Sequence, residues 1–167
     1  MSKNIKIDNS GLEKKRKELL KLMKLKQVDA AIIYAKNLLR KAWMESEFVN
    51  RTSNLLDSYV WIVYVDGVYR DHGFVNETPL ATQKIKQTRT GNMQFGREQA
   101  NEFISSYTPR GIKGLEIVFA TTMYYSAFLE NGTARNRRYV VLTGILDDVN
   151  ADFRSNNIRI QNDYYEY

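Results

Sequence analysis

The chain has 167 residues, 43% of them hydrophobic and 12% aromatic, which predicts one domain with an ordinary core and excludes a disordered tail. With no cysteine and one histidine, disulfide scaffolds, cysteine–zinc sites, cysteine nucleophiles and multi-histidine metal sites within one chain are excluded. The net charge of +6 belongs to one end: residues 1–26 hold nine Lys or Arg against three acids, and the remainder is balanced.

No uninterrupted apolar run approaches the roughly 20 residues of a membrane helix. Met1-Ser2-Lys3-Asn4 leads into no apolar signal segment, so no membrane partner and a cytoplasmic site of synthesis are the expectation. Ser10-Gly11-Leu12-Glu13 has the spacing of a capping box and predicts a helix start. Apolar residues recur from Leu12 to Trp43, but their phase changes near Lys26-Gln27. The pattern predicts a helix over 11–49, bent near 26–29, with Asp29 available to cap a second segment.

Tyr59 to Val65 is almost wholly β-branched or aromatic and predicts a strand. Asp66-Gly67 follows, then Val68-Tyr69-Arg70, the pattern of a hairpin with a type I′ turn. Residues 76–96 lose all periodicity and predict a long, mobile loop. Ala100, Phe103, Ile104 and Tyr107 predict a helix over 97–107, ended by Pro109, Gly111 and Gly114. Leu115 to Ala120 reads as a third strand, and Tyr124 to Leu129 as a helical turn stopped at Asn131-Gly132. Residues 139–153 form an amphipathic helix, and 156–167 an acidic tail with a short strand at Ile158–Ile160. The sum is an α+β fold: a small antiparallel β-sheet with a long N-terminal helix and a C-terminal helix packed on it, in a single domain carrying a basic helical extension over 1–26.

Catalytic motifs are absent: there is no phosphate-cradling glycine loop and no Gly-x-Ser-x-Gly elbow. His72 beside Asp71 reads as structural or exposed, and Arg97 with Glu98 and Glu102 as ordinary surface. Asp148 and Asp152 share a helix face with Asp147 nearby, which a metal nuclease could use but which reads as a solvated acidic face. Asn50, Asn76 and Asn131 each open an Asn-x-Ser/Thr triplet, read as coincidence without a signal segment. The tyrosines suit protein interfaces, where a large ring is buried and its hydroxyl stays wet, better than base stacking. Lys14, Lys15, Arg16, Lys17, Lys21 and Lys24 are the candidates for non-specific DNA contact. No cofactor is implied.

Two spans carry a family resemblance. Asn50-Arg51-Thr52-Ser53-Asn54-Leu55-Leu56-Asp57-Ser58-Tyr59 resembles the "R-T-G-N-L-x-x-S" entry to the first strand of phage head–tail joining proteins, also called neck, connector or tail-completion proteins, with Ser53 in the place of the family glycine. Tyr124-Tyr125-Ser126-Ala127-Phe128-Leu129-Glu130-Asn131-Gly132-Thr133 is similar to that family's "Y-A-x-x-L/V-E-x-G-T/S" box, with Ser126 where alanine is usual. The family's Pro-containing stretch is replaced by Arg135-Asn136-Arg137-Arg138-Tyr139.

The resemblance implies a non-enzymatic virion protein. It implies a homo-oligomeric ring around the DNA channel, with portal or adaptor and tail proteins of the same virion as partners. It marks Asn50, Thr52, Asn54, Ser58, Tyr125, Glu130, Gly132, Thr133, Arg135, Arg137 and Arg138 as interface or motif residues. On the residues alone, Asn54 and Thr52 can cap backbone groups, Gly132 permits a left-handed turn, and Glu130 can receive turn amides or pair with an arginine. The competing reading is a basic nucleic-acid-binding protein acting through its N-terminal helix.

Overall fold

The computed structural model describes residues 10–46, 53–86, 93–132 and 140–154. Its centre is the β-branched and aromatic run, which forms strand β1 (Tyr59–Val65) in the middle of a three-stranded sheet. β1 pairs antiparallel with β2 (Val68–Phe74) on one side and β5 (Leu115–Thr121) on the other. A central strand is covered on both faces, so it tolerates no polar alternation; hence the unbroken apolar sequence.

Alternate β1 side chains feed two cores. Tyr59, Trp61 and Val63 face the long helix α1 (Ser10–Glu45), meeting Ala31, Ala35, Leu38, Leu39 and Ala42. Val141 and Ile145, at the start of helix α5 (Leu142–Arg154), complete that layer. Val60, Ile62 and Tyr64 face the other way, with Phe103, Ile104 and Tyr107 at the end of helix α3 (Gly96–Ser106) and just beyond it. The fold is therefore α+β, with the long N-terminal helix and the C-terminal helix on one face of the sheet.

The β1–β2 turn is the type I′ hairpin that Asp-Gly predicts: φ is 53° at Asp66 and 75° at Gly67. Asp66 also binds the start of β5, accepting from the Gly114 amide at 2.9 Å while its own amide donates to the Gly114 carbonyl at 2.8 Å. That hydrogen bond, with Lys24 beside it, holds the Asp66 carboxyl below its usual range. The register shifts between Val63 and Tyr64, so Arg70 is an extra residue in β2, a β-bulge. β2 runs four residues beyond the Arg70 end read from the sequence.

Other elements depart from the sequence pattern. α1 runs unbroken through 26–29, so Asp29 caps nothing; the phase change marks where the helix face that meets the sheet begins. The helix ends at Glu45, and residues 47–52 lie outside those described. Residues 54–58, read as the entry to a strand, form a helical turn, α2 (Asn54–Ser58). Within the stretch expected to be a loop, β3 (Ile85–Lys86) pairs with β4 (Met93–Gln94). α4 (Ser126–Asn131) is the expected helical turn, shifted by two residues, and α5 begins at Leu142. The expected tail strand at 158–160 lies outside the described residues.

Ser53 sits at φ 58°, ψ −6°, in the left-handed region that penalises a side chain. Ser53→Gly should therefore raise the unfolding free energy by about 0.5–1 kcal/mol, the relief of that strain less the added freedom of the unfolded chain. Urea denaturation of the two proteins side by side measures it.

Candidate functional site

The two motif spans fold into the two polar knots of the molecule. The first is α2, in which Asn54, Asp57 and Ser58 are all buried. A buried polar side chain is tolerable only when hydrogen-bonded, and each of these is. Asn54 accepts from the Gly96 amide through Oδ1 and donates from Nδ2 to the Gln83 carbonyl, both at 2.7 Å. Asp57 accepts from the Leu80 amide at 2.9 Å and the Ala81 amide at 2.7 Å. Ser58 donates to the Leu55 carbonyl at 2.7 Å and lies 3.0 Å from the Thr121 hydroxyl at the end of β5.

One helical turn thus anchors the segment 80–83, the start of α3 and the last residue of β5. In the stretch read as a long, mobile loop over 76–96, the described first part is joined to α2 through its backbone, which composition does not reveal. The contact at α3 is close. A Cβ on Gly96 would stand 1.9 Å from the Asn54 carbonyl oxygen, so only glycine fits.

Arg97 corrects an expectation. Its side chain is 12% exposed, stacks 3.5 Å above the Phe74 ring, and lies 4.0 Å from Asp57. It donates to the Asn76 carbonyl at 2.6 Å and to the Glu77 carbonyl at 3.3 Å. Burial draws its pKa below the ordinary guanidinium value while the Asp57 charge opposes the shift. A planar cation on an aromatic face is a packing element, and its sequence neighbours Glu98 and Glu102 gave no sign of it.

The second knot is Glu130, 7% exposed at the end of α4. Its carboxylate accepts from the amides of Val141 at 3.1 Å, Leu142 at 2.9 Å and Thr143 at 3.3 Å, and from the Thr143 hydroxyl at 3.2 Å. These are the amide just before α5 and the first two of the helix, which have no partner inside it. An anion there also meets the positive end of the helix dipole. Glu130 thus receives amides, but those among the described residues belong to the start of α5, eleven to thirteen positions downstream, and not to the Gly132 turn beside it; the arginines named as its other partners lie outside the described residues.

Tyr59, which ends the first motif span, donates its hydroxyl to Glu130 at 3.2 Å. Burial, reinforced by the Glu130 charge and this hydrogen bond, pushes the Tyr59 phenol far above its ordinary value, so it remains a donor. Gly132, directly after α4, has φ 73° and ψ 175°. Its φ is positive as expected, but the backbone is extended rather than left-handed helical, a region open essentially to glycine alone.

Asn54, Ser58 and Glu130 are therefore interior, joining elements within the chain rather than lying on its surface. Tyr125 is half-buried, its ring edge-on to Tyr124 with centroids 5.3 Å apart. Asn50, Thr52, Thr133, Arg135, Arg137 and Arg138 lie outside the described residues. Asp57, Tyr59 and Arg97 were missed in the sequence; the first two stood inside the quoted motif, where their type and spacing gave no hint of burial.

The six basic candidates lie on the exposed N-terminal half of α1. At about 100° per residue, Lys14, Lys17, Lys21 and Lys24 share a face, and Lys15 and Arg16 lie off it. Lys24 reaches Asp66 of the hairpin at 3.7 Å. Asp148 pairs with Lys41 of α1 at 2.8 Å, and the Asp152 side chain is outside those described. The Tyr69 hydroxyl lies 2.6 Å from His72 Nδ1. Among the described residues, no three His, Asp or Glu side chains are grouped to hold a metal, and no helix is long and apolar enough to cross a membrane. No family model, curated protein or solved structure matches the chain.

Glu130→Ala should cost about 3 kcal/mol by leaving the α5 amides and the Tyr59 hydroxyl without their acceptor. Glu130→Gln, which keeps one acceptor oxygen, should cost less. Denaturant midpoints of the three proteins give the order. Tyr59 also sets a pH dependence. Its folded pKa lies above the ordinary 10.0, so the unfolded chain releases that proton first. The stability it contributes is full below about pH 10 and falls by about 1.4 kcal/mol per unit above it. Tyr59→Phe should cost about 1 kcal/mol at neutral pH and make the alkaline loss shallower. Urea midpoints between about pH 8 and 11 test both statements.

Proposed function

We propose that this chain is a non-enzymatic structural subunit of a tailed-phage virion: a head–tail connector or tail-completion protein. Its copies form a ring around the DNA channel, between the portal or adaptor and the tail. The observation that carries the reading is the Tyr59–Glu130 hydrogen bond. The two spans that resemble the neck family lie 71 residues apart in sequence at this contact and meet in the fold, which supports reading them together as parts of one unit.

Further support comes from what each span does. One joins the loop segment and α3 to α2, and the other caps α5; together they tie these elements into one body. Projecting from that body is the exposed basic half of α1, available to a neighbouring subunit. A heterologous contact repeated from copy to copy closes into a ring where its rotation fits.

The alternative, a nucleic-acid binder, is favoured by the shared face of Lys14, Lys17, Lys21 and Lys24. Phosphate contacts by these four would make the logarithm of affinity fall with the logarithm of salt at a slope of about −3.6.

The test is quantitative peptide mass spectrometry of purified virions, scaled to the major capsid protein. A fixed number of about six or twelve copies per particle is the expected result for a closed ring. Absence from particles overturns the virion reading, and hundreds of copies would assign the chain to capsid or tail tube instead.

A further inference from the structure

Two contacts fix how α1 lies on the sheet. Its Lys24 meets Asp66, at the turn that follows β1, at 3.7 Å. Its Trp43 packs on Tyr59, at the start of β1, with ring centroids 5.4 Å apart. Lys24 to Trp43 is about 28 Å of helix, and Tyr59 to Asp66 about 23 Å of strand. α1 therefore runs antiparallel along β1, and its residues before Lys24 overhang the hairpin end of the sheet.

The overhang carries a row of charge on the side that the sheet covers further along. At about 100° per residue, Lys14, Lys17, Lys21 and Lys24 continue the side of α1 on which Ala31, Ala35, Leu39 and Ala42 meet the sheet. The row is about 15 Å long. All four lysines are exposed, and Glu18 is the single acid over 14–26. The hairpin end adds Arg70 in the β-bulge and Lys113 next to Gly114, both exposed. The Arg70 charge reaches Asp66, and Asp66 in turn binds the Gly114 amide. The acids near this end are occupied: Asp66 by that amide and Lys24, Asp71 by the His72 amide, while Glu116 is buried. Overhang and hairpin end thus make a corner lined by six cations, of which Lys24 alone has an ion pair among the described residues.

The chemistry of the corner selects its occupant. B-DNA lying along the row carries about nine phosphate charges over that length, at one per 1.7 Å. A single strand is held by aromatic side chains stacked on its bases, and residues 10–33 include no aromatic. Tyr69 of the hairpin is turned to its own neighbours, edge-on to Tyr64 and 2.6 Å from His72 Nδ1. A membrane surface takes a continuous apolar face, whereas the side opposite the lysine row mixes Leu19, Leu22 and Met23 with Lys15 and Lys26. We propose that a DNA duplex docks in this corner, its phosphates held by the α1 row on one side and by Arg70 and Lys113 on the other. Contacts of this kind position a duplex without reading its sequence. The Lys24–Asp66 pair yields to a phosphate because an exposed ion pair is weak. The inference rests on the nucleic-acid reading of the α1 lysines given above and extends it to the hairpin end and to a duplex.

Anisotropy of a labelled DNA duplex titrated with the full chain, between about 50 and 200 mM salt, tests it. Six phosphate contacts give the logarithm of affinity a slope of about −5.4 against the logarithm of salt, where the α1 row alone gives about −3.6. R70Q/K113Q should bring the slope to about −3.6, and K14Q/K17Q/K21Q to about −2.7. R40Q/K86Q removes the same charge from exposed residues elsewhere and should leave the wild-type slope. Arg40 lies about 24 Å along α1 from Lys24, and Lys86 follows Gln83, which Asn54 binds beyond the opposite end of β1. Asp66→Asn keeps an Asn-Gly turn and releases Lys24, so it should bind about threefold tighter, a gain that a damaged fold does not produce. A wild-type slope near −3.6 that R70Q/K113Q leaves unchanged overturns the inference while the α1 reading stands. Unchanged binding by K14Q/K17Q/K21Q overturns both. An equal loss in R40Q/K86Q reduces the site to bulk charge and overturns it. So does tighter binding to a single strand of the same sequence, or to vesicles of anionic lipid, than to the duplex.

Discussion

The Glu130 carboxylate is the constraint on which the arrangement of the core depends. It is nearly buried, and a charge in that position is tolerable only if its oxygens are filled. The donors that fill them come from three places: the first turn of α5 and the residue before it, the Thr143 hydroxyl, and Tyr59 on the central strand. The requirement works in both directions. Glu130 needs these donors, and the leading amides of α5 need an acceptor that their own helix does not supply. Val141 and Ile145, which fill the α1 side of the core, are placed at a fixed height above the sheet because the start of α5 is held to this one side chain. Apolar burial drives α5 onto the sheet, but it is non-directional; the hydrogen bonds set where the helix begins.

α2 applies the same logic on the other side of β1. Asn54 and Asp57 lie three residues apart on one turn, yet hold the Gly96 amide and the 80–81 backbone respectively. A stretch with little apolar content cannot pack itself down by burial, so it is held through its main chain by side chains of the well-packed region. Arg97 closes the arrangement by lying flat on Phe74 while its guanidinium donates to the Asn76 and Glu77 carbonyls. Both knots therefore convert a few buried polar groups of the motif spans into the positions of segments distant in sequence.

This division explains what could be read in the sequence. The Asp66-Gly67 hairpin, β1, β5 and the helical stretches were legible because periodicity and turn chemistry are local properties. Most of the candidate site was not, because Asn54, Asp57 and Glu130 act on backbone amides, which every residue has. No side-chain pairing in the sequence marks Leu80, Gly96 or Leu142 as the recipient. Gly96 illustrates the limit: its need for no side chain arises from the Asn54 carbonyl, forty-two positions earlier. The phase change in α1 was visible, but its meaning was not. A bend and a change of the buried face produce the same shift in pattern, and only the sheet alongside tells them apart.

That change of face separates the two tasks of α1. Its second half is a core element, with small alanines against the sheet at positions 31, 35 and 42. Its first half contributes little to the core and keeps leucines that an isolated monomer would do better without, since exposed apolar residues favour aggregation. The lysines among them offset that risk, because like-charged segments repel one another. Seven basic residues over 14–26 are interleaved with Leu19, Leu20, Leu22, Met23 and Leu25. The excess positive charge of the chain thus falls on the part of α1 that the sheet does not cover, which ties the uneven charge to the uneven helix.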